Sequence, residues 1–217
     1  MTEIKFCGLT RAADARVAAE LGAAYVGVVF AGGPRRQDEQ SAAPILEAVR
    51  RSVGRVGVFG AEPWPEIARR AARLGLRAVQ LHADPSVADI RALRAVWQGE
   101  VWAALRVSGS ELPAHAAALF AAADAVVLDA RVEGSLGGTG VALAWKALGG
   151  AVGAVRGGRA RLVLAGGLRP ENVAEAVRAL APDVVDVSSG VESTVGIKDP
   201  TRMRAFRDAV RSVEVAQ

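Results

Sequence analysis

One cysteine, two histidines and one tyrosine stand among 217 residues. A single thiol cannot close an internal disulfide, and with two histidines it cannot furnish a Cys/His zinc cluster. Lysine is scarce as well. Lys5, Lys146 and Lys198 are the only three, so nearly all of the 27 basic residues are arginine. Aromatics make up 5%, and none interleaves with a basic cluster such as Arg69-Arg70-Ala71-Ala72-Arg73, which has Glu62 and Glu66 nearby. Nucleic-acid binding wants a concentrated basic stripe with stacking aromatics, and is not expected. The net charge of +4 reads instead as a solvated basic surface that mildly favours anionic ligands. Long apolar runs are also missing. The stretch Ala114 to Leu128 is broken by His115 and Asp124, well short of the ~20 residues a membrane span needs. Met1 to Lys5 carries no basic region followed by an apolar core, so no leader is expected. The chain is predicted to be cytoplasmic, with neither nucleic acid nor membrane as a partner.

What is present is an alternation. Hydrophobic residues at 51% and charged residues at 23% are ordinary globular usage. β-Branched runs recur at Ile4–Cys7, Tyr25–Phe30, Arg55–Phe59, Arg77–His82, Val101–Val107, Ala125–Asp129, Arg161–Ala165 and Val184–Ser188. Between them the apolar spacing turns helical: Ile90, Leu93 and Trp97; Val173, Ala176 and Leu180; Met203, Phe206, Val210 and Val213. Pro170 and Pro200 sit where first turns should begin, and Asp84-Pro85-Ser86 opens the helix after the fourth strand. Segments 112–122 and 141–148 are the weakest helices, and 149–158 reads as the most flexible connection. Alternating β and α units imply a parallel sheet, and eight of them fit a single (β/α)₈ barrel domain over residues 1–217.

In such a barrel, chemistry belongs at the carboxyl ends of the strands. Cys7, Gln80 with His82, Asp129, Gly166-Gly167 and Ser188-Ser189-Gly190 fall there, with the loop Gly32-Gly33-Pro34-Arg35-Arg36 after the second strand. Strand parity puts Lys5 with Cys7, Gln80 with His82 and Asp186 with Ser188 on common faces, toward the barrel mouth. Lys5 is expected to pair with Asp186 inside it. Glycines after strands seven and eight either make tight turns or expose N–H groups to a phosphate. A lone strand-end cysteine is either a small buried hydrophobe or a catalyst. Asp129, closing the apolar run Val126-Val127-Leu128, has little structural reason to be there. His82 is either a catalyst or a hydrogen-bonding support. Gly137-Gly138-Thr139-Gly140 alone is no more than a glycine-rich loop.

In order, the motifs Ile4-Lys5-Phe6-Cys7-Gly8-Leu9-Thr10, Val79-Gln80-Leu81-His82, Leu128-Asp129-Ala130 and Gly137-Gly138-Thr139-Gly140 resemble those of the phosphoribosylanthranilate isomerases. So do Ala165-Gly166-Gly167-Leu168 with Pro170-Glu171-Asn172-Val173, Val185-Asp186-Val187-Ser188-Ser189-Gly190-Val191-Glu192 and Gly196-Ile197-Lys198-Asp199. The resemblance spans residues 4 to about 206. It implies an Amadori rearrangement of N-(5-phosphoribosyl)anthranilate in tryptophan biosynthesis. Asp129 would be the general acid that opens the ring, and Cys7 the general base that removes the C2 proton. The phosphate would rest on Gly166, Gly167, Ser189 and Gly190, with Asp186, Gln80 and His82 around the sugar. An arginine of the second-strand loop would meet the anthranilate carboxylate: Arg35 if Gly33-Pro34-Arg35 aligns with the family's Ser-Pro-Arg, Arg36 if spacing from Phe30 decides. Arg35 is favoured. No metal or organic cofactor is expected, and the protein partner is none or a second copy, as a monomer or homodimer.

The chemistry asks for a lowered thiol, with Lys5 or the basic mouth helping, and for an Asp129 carboxyl raised by desolvation. Phe6 stands for a usual isoleucine, Ala83 for a glycine, and Leu143-Ala144-Trp145 for Phe-Asp-Trp. A Schiff-base aldolase on the same barrel would need a reactive lysine, and Lys5 alone lies on a candidate strand. A thiamin-phosphate-synthase-like enzyme would need carboxylates set for magnesium.

Overall fold

The structure, a computed structural model, describes residues 1–130 and 145–215. Eight parallel strands close on themselves in chain order: β1 (Glu3–Phe6), β2 (Tyr25–Val29), β3 (Gly54–Phe59), β4 (Ala78–Leu81), β5 (Glu100–Val107), β6 (Ala125–Ala130), β7 (Arg161–Leu164) and β8 (Val184–Val187). Lys5 pairs in register with Asp186, which joins β1 to β8 and completes the barrel. The helices between them are α1 (Ala12–Glu20), α2 (Glu39–Glu47), α3 (Trp64–Arg73), α4 (Val87–Arg94), α5 (Ala116–Ala122), α6 (Trp145–Val155) and α7 (Val173–Leu180). After β8 a 3₁₀ turn (Ser189–Val191) leads into a small antiparallel pair, β9 (Glu192–Thr194) and β10 (Ile197–Lys198). The chain then closes with α8 (Pro200–Val215). Among the described residues no helix is long and apolar enough to cross a membrane.

Period-2 alternation sorts the strand residues into two layers. One set faces the helices and forms the main core, where Phe6 packs edge-on against Phe206 of α8 with ring centroids 6.2 Å apart. The isoleucine replacement at Phe6 is therefore a packing change. The other set fills the barrel. Tyr25 and Trp102 meet edge-to-face at 4.9 Å near its floor, with Val56, Val127, Val163 and Val184 around them. Filling the lower interior leaves the carboxyl ends of the strands as the open end.

Helix boundaries show where side chains overrule local pattern. α4 begins at a capping box, Ser86 with Asp89, as the Asp84-Pro85-Ser86 signal predicts, but it stops at Arg94. Trp97 lies beyond it, its ring folded over Gly99, where even a β-carbon would come within 2.1 Å. Pro170 does not open α7. The Asn172 side chain accepts from Arg169 N–H and donates to the Gly167 carbonyl, which holds residues 170–172 as a turn, and the helix starts at Val173. Pro200 does open α8, behind Asp199, whose carboxylate accepts from the N–H of Thr201 and Arg202. The predicted flexible connection at 149–158 is largely helix. Trp145, Leu148 and Val152 form a buried stripe at i, i+3 and i+7, and burying it outweighs the low helix propensity of Gly149, Gly150 and Gly153. The Gly137–Gly140 motif, Leu143 and Ala144 lie outside the described residues.

Candidate active site

A cavity of about 380 Å³ opens at the carboxyl ends of the strands. Cys7, Gln80, His82, Asp129 and Asp186 line it, each from an interior-facing strand position or the residue continuing that alternation. The loops after β7 and β8 add Gly166, Gly167 and Ser189, and the loop after β2 adds Arg35. Two of the predicted site residues do not line it. Arg36 is exposed, bridged to Val29 by its backbone, and Gly190 stands behind the wall.

Cys7 continues β1, donating its N–H to the Val187 carbonyl at 2.9 Å. Its sulfur has room because the neighbouring position on β2 is Gly27, where a β-carbon would come within 2.8 Å of Sγ. Beneath it the Lys5 side chain is fully buried, with Nζ donating to Asp186 Oδ2 at 2.6 Å and to Gln80 Oε1 at 2.7 Å. The expected Lys5–Asp186 pair is thus present. Gln80 Nε2 lies 3.5 Å from His82 Nδ1, and His82 Nε2 lies 3.7 Å from Asp129 Oδ2. A polar chain therefore crosses the barrel from β8 through β1 and β4 to β6.

Burial works against the Lys5 ammonium, but Asp186 and Cys7 together outweigh it and the net direction is upward. That matters for the thiol. Lys5 acts on Cys7 in the expected direction, but the expectation of a lowered thiol is overturned: burial pushes it up, Lys5 and Lys198 only partly offset that, and Asp186 adds to the rise. Among the described residues, no group of three or more His, Cys, Asp or Glu is placed to hold a metal ion.

Residues without a predicted role complete the rim. Lys198 was expected off any strand, yet it lies on β10, fully buried, and donates to the Ser188 carbonyl at 3.0 Å and to Glu192 at 2.9 Å. Glu192 also receives two bonds from Arg35, at 2.7 and 2.6 Å. Burial opposes its charge, but these two cations prevail and hold its carboxyl down to about 2. Both residues belong to motifs quoted above. Their spacing gave no sign that they meet Arg35, more than 150 residues away in the chain.

Gly166 and Gly167 take φ of +81° and +67°, conformations that strain any side chain, and so present a tight loop after β7. Gly190 is required by packing. A β-carbon there would lie 1.9 Å from the Leu168 carbonyl oxygen, so only glycine lets the β8 turn close against the β7 loop. Gly190→Ala is expected to lower stability by ~2 kcal/mol through overpacking. It should also raise KM for a phosphorylated substrate about tenfold by parting the two loops. Thermal melts and steady-state kinetics on the same preparation check both.

Comparison with known proteins agrees with this geometry. Residues 4–209 match the family model described as N-(5'phosphoribosyl)anthranilate (PRA) isomerase. A curated N-(5'-phosphoribosyl)anthranilate isomerase of Pseudomonas fluorescens (strain Pf0-1) is 39% identical over 208 residues, covering 95% of this chain and 97% of that protein. The crystal structure of phosphoribosyl anthranilate isomerase from Thermotoga maritima superposes with a TM-score of 0.85 at 31% identity, covering 98% of this chain and all of that one. A phosphoribosyl anthranilate isomerase in complex with reduced 1-(o-carboxyphenylamino)-1-deoxyribulose 5-phosphate gives a TM-score of 0.82 at 31% identity, with the same coverage.

Proposed function

The chain belongs to the N-(5'-phosphoribosyl)anthranilate isomerase family, and on that premise we propose that Cys7 and Asp129 are its base and its acid. The reaction is the tryptophan-pathway rearrangement of N-(5'-phosphoribosyl)anthranilate to 1-(2-carboxyphenylamino)-1-deoxyribulose 5-phosphate. The observation that carries the assignment of roles is that Cys7 and Asp129 line one cavity from β1 and β6, with the glycine loops after β7 and β8 forming another wall. Asp129 protonates the furanose ring oxygen, the ring opens, and nitrogen lone-pair donation leaves a Schiff base. The Cys7 thiolate removes the proton from C2 to leave an enolamine, which tautomerises to the ketone.

The other lining groups bind. Gly166, Gly167, Ser189 and Gly190 offer the phosphate its place, and Gly190 also lets the two loops close together. Asp186 uses Oδ2 on Lys5, whereas its buried Oδ1 has no hydrogen-bond partner among the described residues, an acceptor suited to a sugar hydroxyl. Gln80 and His82 flank that position. Arg35 meets the anthranilate carboxylate, since Glu192 takes its Nε and Nη2 and leaves Nη1. The Schiff-base aldolase reading loses Lys5, which Asp186 and Gln80 hold as an ammonium although imine formation needs a neutral amine, and Lys198 on β10 does not line the cavity. The setting we assign is the cytoplasm, with a phosphorylated small molecule as ligand and no nucleic acid or membrane.

Fluorescence decay of phosphoribosylanthranilate tests the activity directly; a purified chain that leaves the signal at its spontaneous rate contradicts it. For the carboxylate contact, Arg35→Lys should raise KM about tenfold with kcat little changed, because the planar fork is lost. A rise confined to Arg36→Lys would move that role to Arg36.

A further inference from the structure

Arg106 is an interior-facing charge that does not line the cavity. It is paired in register with Asp129, and in β5 it continues the inward alternation of Trp102 and Ala104. A guanidinium there would be expected to line the mouth beside the carboxyl. It does not. The side chain is 15% exposed and runs to Asp84, its Nε donating to Oδ1 at 2.6 Å and its Nη2 paired with Oδ2, a two-point fork on one carboxylate. Asp84 is 49% exposed and sits two residues after His82, the group 3.7 Å from Asp129. It holds φ at +46°, in the left-handed region that asparagine and aspartate enter most readily among side-chain-bearing residues. Ala83, the departure from the family's glycine, does not bear that conformation; Asp84 does.

We propose that Asp84 is a positioning residue for the proton donor, drawing the Arg106 guanidinium off Asp129 so that the Asp129 carboxyl can keep the proton it delivers. The inference rests on the reading of Asp129 as the acid. A free arginine beside a carboxyl favours the carboxylate, the wrong form for an acid catalyst. Hydrogen bonding to Asp84 is the chief reason the Arg106 proton is held more tightly than usual, and Asp129 contributes a smaller share. Among the described residues the charged or titratable groups facing Asp129 are His82 from the end of β4 and Arg106 from β5. Cys7 and the mutually matched Lys5 and Asp186 lie across the interior. Arg131 and Glu133 follow it in the chain and lie outside the described residues.

The test is the pH dependence of the single-turnover rate in Asp84→Asn, Arg106→Gln, the double variant and Asp129→Asn. Asparagine tolerates the φ at position 84, so Asp84→Asn keeps the loop while freeing Arg106. It should move the limb that Asp129→Asn abolishes by about one unit toward acid, and lower the rate at neutral pH about three- to tenfold. Arg106→Gln should not move it acidward, and the double variant should return close to the parent. A fold defect cannot mimic that pattern, because removing a second group would then worsen the loss. An unmoved limb in Asp84→Asn, or a double variant as displaced as the single one, overturns the proposal while Asp129 keeps its role. Near-full turnover in Asp129→Asn overturns the acid assignment itself, and this inference with it.

Discussion

Cys7→Ser is expected to lower turnover at least ~10²-fold while KM changes little, the signature of losing a group needed only as the C2 proton moves. The hydroxyl is close in size, so the pocket beside Gly27 stays filled and the substrate still binds. What is lost is acidity, since a serine alkoxide is far less accessible than a thiolate. Burial has pushed the thiol above its ordinary value, so the thiolate is a minority at neutral pH. The sign of the pH dependence follows: for a raised thiol the reactive form grows as pH climbs through that elevated value. The chain has one cysteine, so iodoacetamide labelling reports this group alone. Its rate should rise with pH along a curve displaced to the alkaline side of a free thiol, and full labelling should abolish activity. A labelling midpoint at or below that of a free thiol would mean that the Lys5 and Lys198 fields outweigh desolvation.

The second large effect is at Asp129. Asp129→Asn keeps the shape and removes the proton, so the ring-opening step loses its acid and turnover should fall at least ~10²-fold with binding retained. Its fully hydrophobic neighbours in β6, Val126, Val127 and Leu128, are buried, and Asp129 itself is 6% exposed. With the acid and the base lining one cavity, each should give one limb of the parent's pH–rate curve. Removing either partner should erase one limb and leave the other. A bell that keeps both limbs in Asp129→Asn would show that another group donates the proton.

Much of this arrangement was legible in the residues themselves. Each β-branched run became a strand, within a residue or two at its ends, because a barrel strand buried on both faces needs such a run. Alternation then placed Lys5, Gln80 and Asp186 in one interior layer, and their contact follows from the closed register of β1 with β8. What escaped was decided by partners distant in the chain. The stripe Trp145, Leu148, Val152 made a helix through three glycines because the core demanded it. The direction of the Cys7 shift is set first by how completely the closed barrel buries the thiol, which outweighs the Lys5 ammonium and which spacing does not encode. Arg35 meeting Glu192, and Arg106 meeting Asp84, are loop-to-loop and strand-to-loop pairings whose geometry exists only once the barrel has closed. That Gly190 must lack a side chain to clear the Leu168 carbonyl is likewise visible only once the β7 and β8 loops meet.

The most direct measurement is a crystal structure of this chain soaked with the reduced product analogue, 1-(2-carboxyphenylamino)-1-deoxyribitol 5-phosphate. The account predicts the phosphate on the Gly166–Gly167 and Ser189 loops, the Cys7 sulfur within ~4 Å of C2, and the Asp129 carboxyl within hydrogen-bond reach, about 3 Å, of the hydroxyl derived from the ring oxygen. A ligand held with its C2 turned away from Cys7, or with Asp129 out of reach of that hydroxyl, would contradict it.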